Sequence, residues 1–365
     1  MRTQPSTGRY GAWLTLVTAL LLVSLAAPAE ARYSRKKAIW GPMQVNGVSQ
    51  FPIYRDLGVG IYQMQLDWAR VAPTRPQRPG DPADPAYHWP DDVEVAIREA
   101  RRYRIRVALQ LTRAPRWANG GRSSEWAPRR PTDFAAFARA ASRRYGRVRL
   151  WQIWGEPSRQ SNFKPLPSLE ATGPRRYARI LDAAYASLKR ESSRNIVIGG
   201  NTFTAGDVSP RQFIRSMRLP NGRPPRMDLY GHNPFTRRGP ALSKPPLGYG
   251  WADFSDLDTL ARWVDRDLGR RRGHRIQLYL SEFTVPTDHP NWEFNFYVTR
   301  EVQARWLGAA LRITRRWRRI YALGWIGLYD ERPNGENGMP GDEVNRGLLE
   351  WDGDRKPSYR AYKRG

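Results

Sequence analysis

Two stretches of the chain run from an apolar segment straight into a single carboxylate. Residues 148–157 (VRLWQIWGEP) end on Gly155-Glu156-Pro157, and residues 276–286 (IQLYLSEFTVP) pass through Ser281-Glu282-Phe283. A glutamate just past a buried strand sits where desolvation can move its pKa, which acid, base and nucleophile work all require. Two such carboxylates are the equipment of glycoside cleavage. One, protonated, gives its proton to the leaving oxygen, and the other, ionised, attacks the anomeric carbon. Other chemistries have less to work with. The 365 residues include no Cys, which removes thiolate nucleophiles, disulfide scaffolds, thiolate zinc sites and iron–sulfur clusters together. The four His (His88, His232, His274, His289) show no ligand spacing, so no metal and no cofactor is expected. Asp330, Glu331 and Glu336 fit no calcium-loop spacing and read as a solvated loop.

The elements that must position the pair alternate between two hydrophobic periods. Short apolar runs bounded by turn residues mark strands at 37–41, 59–66, 106–111, 149–154, 196–199, 228–231, 277–281 and 323–328. Amphipathic 3–4 spacing marks helices at 92–103, 132–145, 174–190, 256–269 and 300–317. Pro131-Thr132 and Gly173-Pro174 stand at helix starts, and Gly146 at a stop. Strands separated by helices pair in parallel through right-handed crossovers. Eight units fit one closed α/β barrel, the (β/α)8 or TIM barrel, over residues 32–365. The alternative, a doubly wound open sheet, wants a Gly-rich phosphate turn after its first strand, and Gly41-Pro42-Met43-Gln44 is not one. In a barrel, functional groups project from the carboxyl ends of strands, and Glu156 and Glu282 then fall at strands four and seven, 126 residues apart.

On these residues the chain resembles the clan-A retaining glycoside hydrolases, the superfamily of TIM-barrel cellulases and xylosidases. Trp154-Gly155-Glu156-Pro157 is similar to their strand-four Asn-Glu-Pro motif, and Leu280-Ser281-Glu282-Phe283 to their strand-seven motif. Further segments follow in barrel order: Leu66 to Pro73, Ala114-Pro115-Arg116-Trp117-Ala118, Gly231-His232-Asn233-Pro234-Phe235, Gly324-Trp325, and a closing turn and helix from Gly347 to Tyr359. The resemblance implies Glu156 as acid/base and Glu282 as nucleophile of a double displacement, acting on a poly- or oligosaccharide. The chain departs from the pattern at two places. Gly155 replaces the Asn that hydrogen-bonds the sugar 2-hydroxyl, a contact whose loss costs on the order of 10²-fold in rate if nothing replaces it. Asn201 or Asn233 is the candidate to replace it. Gln63 stands where the family often has an Arg near the nucleophile. Trp117 and Trp325 could be sugar platforms or packing, Trp126 in its polar loop is a subsite candidate, and His232 could orient Glu282, touch substrate or be structural.

Residues 1–31 have the layout of a secretory leader: Arg2 and Arg9, an apolar run at 12–27, then Ala29-Glu30-Ala31. Sixteen apolar residues fall short of a bilayer span, so a cleaved leader is preferred over an anchor and the mature chain is expected to be secreted, with no stable membrane span. The formal charge is +27. Its Arg and Lys are dispersed along helices and accompany no nucleic-acid-binding motif, so no specific nucleic-acid partner is expected. The basic surface tilts the expected carbohydrate toward an acidic or wall-associated glycan. Two other functions fit the same sequence: a carbohydrate-binding barrel whose catalysis has weakened, motivated by Gly155 and Gln63, and a basic envelope protein that binds polyanions.

Overall fold

The computed structural model describes residues 34–242, 244–271, 273–333 and 341–365; the expected leader and Glu336 lie outside them. Eight parallel strands close into a barrel: β1 (Lys37–Trp40), β2 (Ile61–Asp67), β3 (Arg106–Thr112), β4 (Leu150–Ile153), β5 (Ile196–Phe203), β6 (Leu229–Asn233), β7 (Gln277–Phe283) and β8 (Ile320–Ile326). β1 closes the ring by pairing with both β2 and β8. Each strand is followed by a helix: α1 (Phe51–Asp56), α2 (Asp91–Arg102), α3 (Pro131–Arg144), α4 (Thr172–Glu191), α5 (Pro210–Ser216), α6 (Leu257–Leu268), α7 (Arg300–Arg316) and α8 (Pro357–Arg364). The TIM barrel expected from strand–helix alternation is therefore the fold. Among the described residues no helix is long and apolar enough to cross a membrane.

The helices form where the sequence gives them one apolar face. α4 buries Tyr177, Ile180, Leu181, Ala184 and Leu188, the 3–4 spacing that covers a strand layer. Pro opens α3, α5 and α8 at their first turn, where its missing N–H costs nothing. Basic residues collect in the last turns of α2, α3, α4 and α7, against the negative end of the helix dipole.

Inside the barrel the strands contribute one residue each to an apolar plug: Ala38, Ile61, Ala108, Leu150, Ile198, Leu229, Tyr279 and Ala322. Toward the carboxyl ends the filling turns polar, with Gln63, Gln110, Gln152 and Ser281 all buried. Gln63 donates to the Ser281 carbonyl (2.9 Å) and accepts from the Tyr279 hydroxyl (2.7 Å), and the Ser281 hydroxyl donates to Gln152 Oε1 (3.1 Å). Gly324 is required beside this layer, because a Cβ there would lie 2.1 Å from the Ser281 carbonyl oxygen. The polar layer is the floor on which the candidate site stands.

Candidate active site

Glu156 leaves β4 on a strained turn. Trp154 and Glu156 both have positive φ (64° and 42°), a region that non-Gly residues enter only when their surroundings hold them there. Three bonds hold this one. The Trp154 amide donates to the Leu111 carbonyl (2.8 Å), its indole N–H to the Asn162 carbonyl (2.8 Å), and its own carbonyl accepts from Asn201 (2.7 Å). Between the two lies Gly155, where a Cβ would sit 2.7 Å from Gln110 Oε1. The glutamine of β3 occupies the space that a side chain at 155 would need.

The Glu156 carboxyl is buried and surrounded by donors. Asn233 Nδ2 reaches Oε1 at 2.9 Å, while Asn162 Nδ2 and an Arg159 guanidinium N–H reach Oε2 at 3.2 and 2.9 Å. All three partners donate, and one of them is a cation. Arg159 comes into place because the 156–159 turn closes through its amide onto the Glu156 carbonyl (3.0 Å).

Glu282 sits near the end of β7, where pairing with β8 shifts register between Leu280 and Phe283. Such an irregularity re-aims a side chain at a strand end. It is pinned at the preceding residue, whose carbonyl accepts from both Gln63 Nε2 (2.9 Å) and Trp40 Nε1 (3.0 Å). Among the described residues nothing hydrogen-bonds the Glu282 carboxyl itself. Burial pushes its pKa up to about 8, and the charges of Glu156 and Glu293 push the same way, against Arg346 and Arg159.

Both glutamates open into one cavity of about 730 Å³ at this end of the barrel. Its wall is aromatic. Phe203 and Phe235 meet at 5.5 Å between centroids, Phe235 and Phe294 at 6.0 Å, and Phe294 and Phe296 at 6.1 Å, with Trp251 at the rim. Three arginines line it as well. Arg238 is neutralised by Asp253 (2.7 Å) and Asp256 (3.0 Å), and Arg159 is paired with Glu156. Arg237 binds the Asn295 side-chain oxygen and lies over the Phe296 ring, without a carboxylate partner among the described residues. Among the described residues no group of three or more His, Asp or Glu could hold a metal ion.

Of the residues singled out from sequence, Glu156 and Glu282 share this cavity, and Asn233 touches Glu156 from below it. The others are placed elsewhere. Asn201 is fully buried on the Trp154 carbonyl, and Gln63 holds backbone beside Glu282 rather than its carboxyl. His232 is spent on structure. Its Nε2 faces the Ala252 carbonyl (2.9 Å) and must carry the proton, so its Nδ1 accepts from Thr202 (2.8 Å). Burial holds its pKa down to about 4, so it is neutral. Trp117 packs edge-on against Trp68 and donates to the Ala72 carbonyl, Trp126 is capped by the Arg122 guanidinium at 3.9 Å, and Trp325 is buried edge-on against Phe283. None of the three lines the cavity. Sequence reasoning missed Arg159, Arg237, Glu293 and the phenylalanine wall. Two signals were available: an Arg one turn after Glu156, and the aromatic density of the polar loop from Trp292 to Tyr297.

The sequence matches no family model and no curated protein. Solved structures do share the fold. A family 39 glycoside hydrolase from Bacteroides cellulosilyticus superposes with a TM-score of 0.66 at 16% identity, over 92% of this chain and 64% of that one. A glucosidase from Croceicoccus marinus gives 0.62 at 14%, over 91% and 65%, and a monomeric β-xylosidase from Caulobacter crescentus gives 0.59 at 14%, over 93% and 68%. The chain thus spans about two thirds of the length of these proteins. Its closed eight-stranded barrel is the fold these glycoside hydrolases share, as the resemblance implied.

Proposed function

We propose that the protein is an O-glycoside hydrolase that cleaves a poly- or oligosaccharide by double displacement, with Glu156 as acid/base and Glu282 as nucleophile. One observation carries this reading: two carboxyls from the ends of β4 and β7 face one cavity closely enough for the charge of one to raise the pKa of the other. In the first half-reaction Glu282 bonds to the anomeric carbon while Glu156 protonates the leaving oxygen; in the second, Glu156 takes a proton from water, whose oxygen displaces Glu282. No cofactor takes part. The test is turnover of a panel of aryl glycosides and polysaccharides by the wild type, Glu282→Ala and Glu156→Ala. Glu282→Ala should abolish turnover, and Glu156→Ala should spare only substrates with activated leaving groups. Turnover indifferent to both substitutions overturns the reading.

A second reading is a sugar-binding barrel with weakened catalysis. It is favoured by Gln110, which fills the place of any side chain at 155, and by Gln63, which leaves Glu282 without a strand-borne cation. It expects sugar affinity without turnover, unchanged in Glu156→Gln. We further infer that the chain is exported; N-terminal sequencing of the mature protein, with a start at residue 32, is the check.

A further inference from the structure

The hydrolase reading needs Glu156 to give a proton when the glycosidic bond breaks, and in the free protein the bonds it makes run the other way. The Glu156 carboxyl only accepts, from Arg159 and two amides, while nothing among the described residues bonds the Glu282 carboxyl and burial raises its pKa. Something arriving with the substrate must reverse this. Arg159 is the group able to do it, because it is the only cation bonded to either glutamate among the described residues and its charge acts on both. It is also movable. Its side chain is 42% exposed, it lines the cavity, and its guanidinium lies 4.7 Å from the centre of the Phe203 ring, a flat surface along which it can swing.

A sugar hydroxyl cannot draw a guanidinium off a carboxylate. A second carboxylate, sulfate or phosphate can, through the same charge-assisted, bidentate geometry. The cavity holds a further cation suited to that partner, since Arg237 lines it with no carboxylate partner among the described residues. We propose that Arg159 is a specificity-determining latch: it holds Glu156 in the empty site, and an anionic substituent on the substrate draws it away so that Glu156 can act as the acid. This deepens the hydrolase reading and rests on it. Once the guanidinium leaves, the proton on Glu282 passes to Glu156, directly or through a water. Glu282, now ionised, forms its bond to the anomeric carbon as the bond to the leaving oxygen breaks, and that oxygen takes the proton from Glu156. Acidic sugars are thereby selected in the chemical step as well as in binding.

The experiment compares 4-nitrophenyl uronides with the matching neutral 4-nitrophenyl glycosides, in both anomers, for wild type, Arg159→Gln and Arg159→Lys across pH. Glu156 faces Arg159, Asn162 and Asn233, and Glu282 faces Glu156, Glu293, Arg346 and Arg159, so Arg159→Gln removes one cation and leaves the rest in place. Wild type should turn over the uronide at least about tenfold better in kcat/KM. Arg159→Gln should lose about 10²-fold on the uronide, hold or gain on the neutral glycoside, and change the acidic limb of its pH profile; Arg159→Lys should recover part of the uronide activity. Equal losses on both substrates, or equal wild-type rates on both, overturn the latch and leave the hydrolase reading standing. No turnover of either substrate by any of the three proteins overturns both.

Discussion

Glu282 should make the folded protein less stable as pH rises, and its removal should reverse this. In the fold its pKa is pushed up to about 8, first by burial and then by the charges of Glu156 and Glu293. In the unfolded chain a glutamate titrates near 4.3. Between these values the folded state binds the extra proton, so stability falls as pH rises through the window, and the loss is complete above about pH 8. A difference of about 3.7 units corresponds to about 5 kcal/mol at most. Glu282 is only partly buried and has Arg346 and Arg159 nearby, which screens the effect to about 2–3 kcal/mol. At about 2 cal/mol/K of unfolding entropy per residue, that is about 3–4 °C in Tm for a chain of this length. Scanning calorimetry of wild type and Glu282→Gln from pH 4 to 9 should show curves that nearly coincide at pH 4 and separate upward, with the variant more stable at pH 9. A gap that is the same at every pH, or a variant less stable at pH 9, refutes the reasoning.

Lys356 is fully buried on Asp330 (2.8 Å) and Thr287 (2.9 Å); Lys356→Met should cost about 3–5 kcal/mol in urea unfolding, because it strands the Asp330 charge. Gly155→Ala should cost about 1–3 kcal/mol by pressing on Gln110 Oε1, and Gln110→Ala in the same chain should restore most of it. His232→Leu should lower stability by about 2 kcal/mol and add or remove no limb in the pH–rate profile, since the imidazole is already neutral. Trp251, 39% exposed at the cavity rim, should raise KM about tenfold on change to Ala with Tm unmoved.

The barrel was legible because a (β/α)8 chain repeats one signal: a buried run, a turn, an amphipathic helix. α2, α3, α4, α6 and α7 each fall within two residues of their expected bounds. The misses have local causes. α1 and α5 are six and seven residues long, too short for a 3.6 period to declare itself. β5 runs on to Phe203, beyond its apolar run, through Asn201 at φ 52° and Thr202, polar residues whose partners are buried ones. β8 starts at Ile320 rather than 323, because Trp317 and the arginines before it prolong the helical pattern of α7. The two glutamates were legible for the same reason as the strands, since a charge at the end of an apolar run breaks the pattern at one position. Arg159, Arg237 and the phenylalanines had no such frame: they lie in loops or at loop edges, which carry no period, and only closure of the barrel brings them to one cavity.

The two departures from the clan-A pattern have one physical basis. Gln110 takes the space above Gly155, and Gln63 spends both ends of its amide on Ser281 and Tyr279, so the polar layer under the cavity is neutral, although the Gln110 and Gln152 amide nitrogens find no partner among the described residues. A neutral floor gives Glu282 no counter-charge, and burial then raises its pKa. The cations that act on Glu282 come instead from the loops after β4 and β8, as Arg159 and Arg346. A strand-borne Arg is fixed by the packing of the barrel, whereas a loop-borne one can answer to what enters the cavity. On the proposed latch, a positive charge at the rim rather than in the floor ties the setting of the two glutamates to the substrate's own charge.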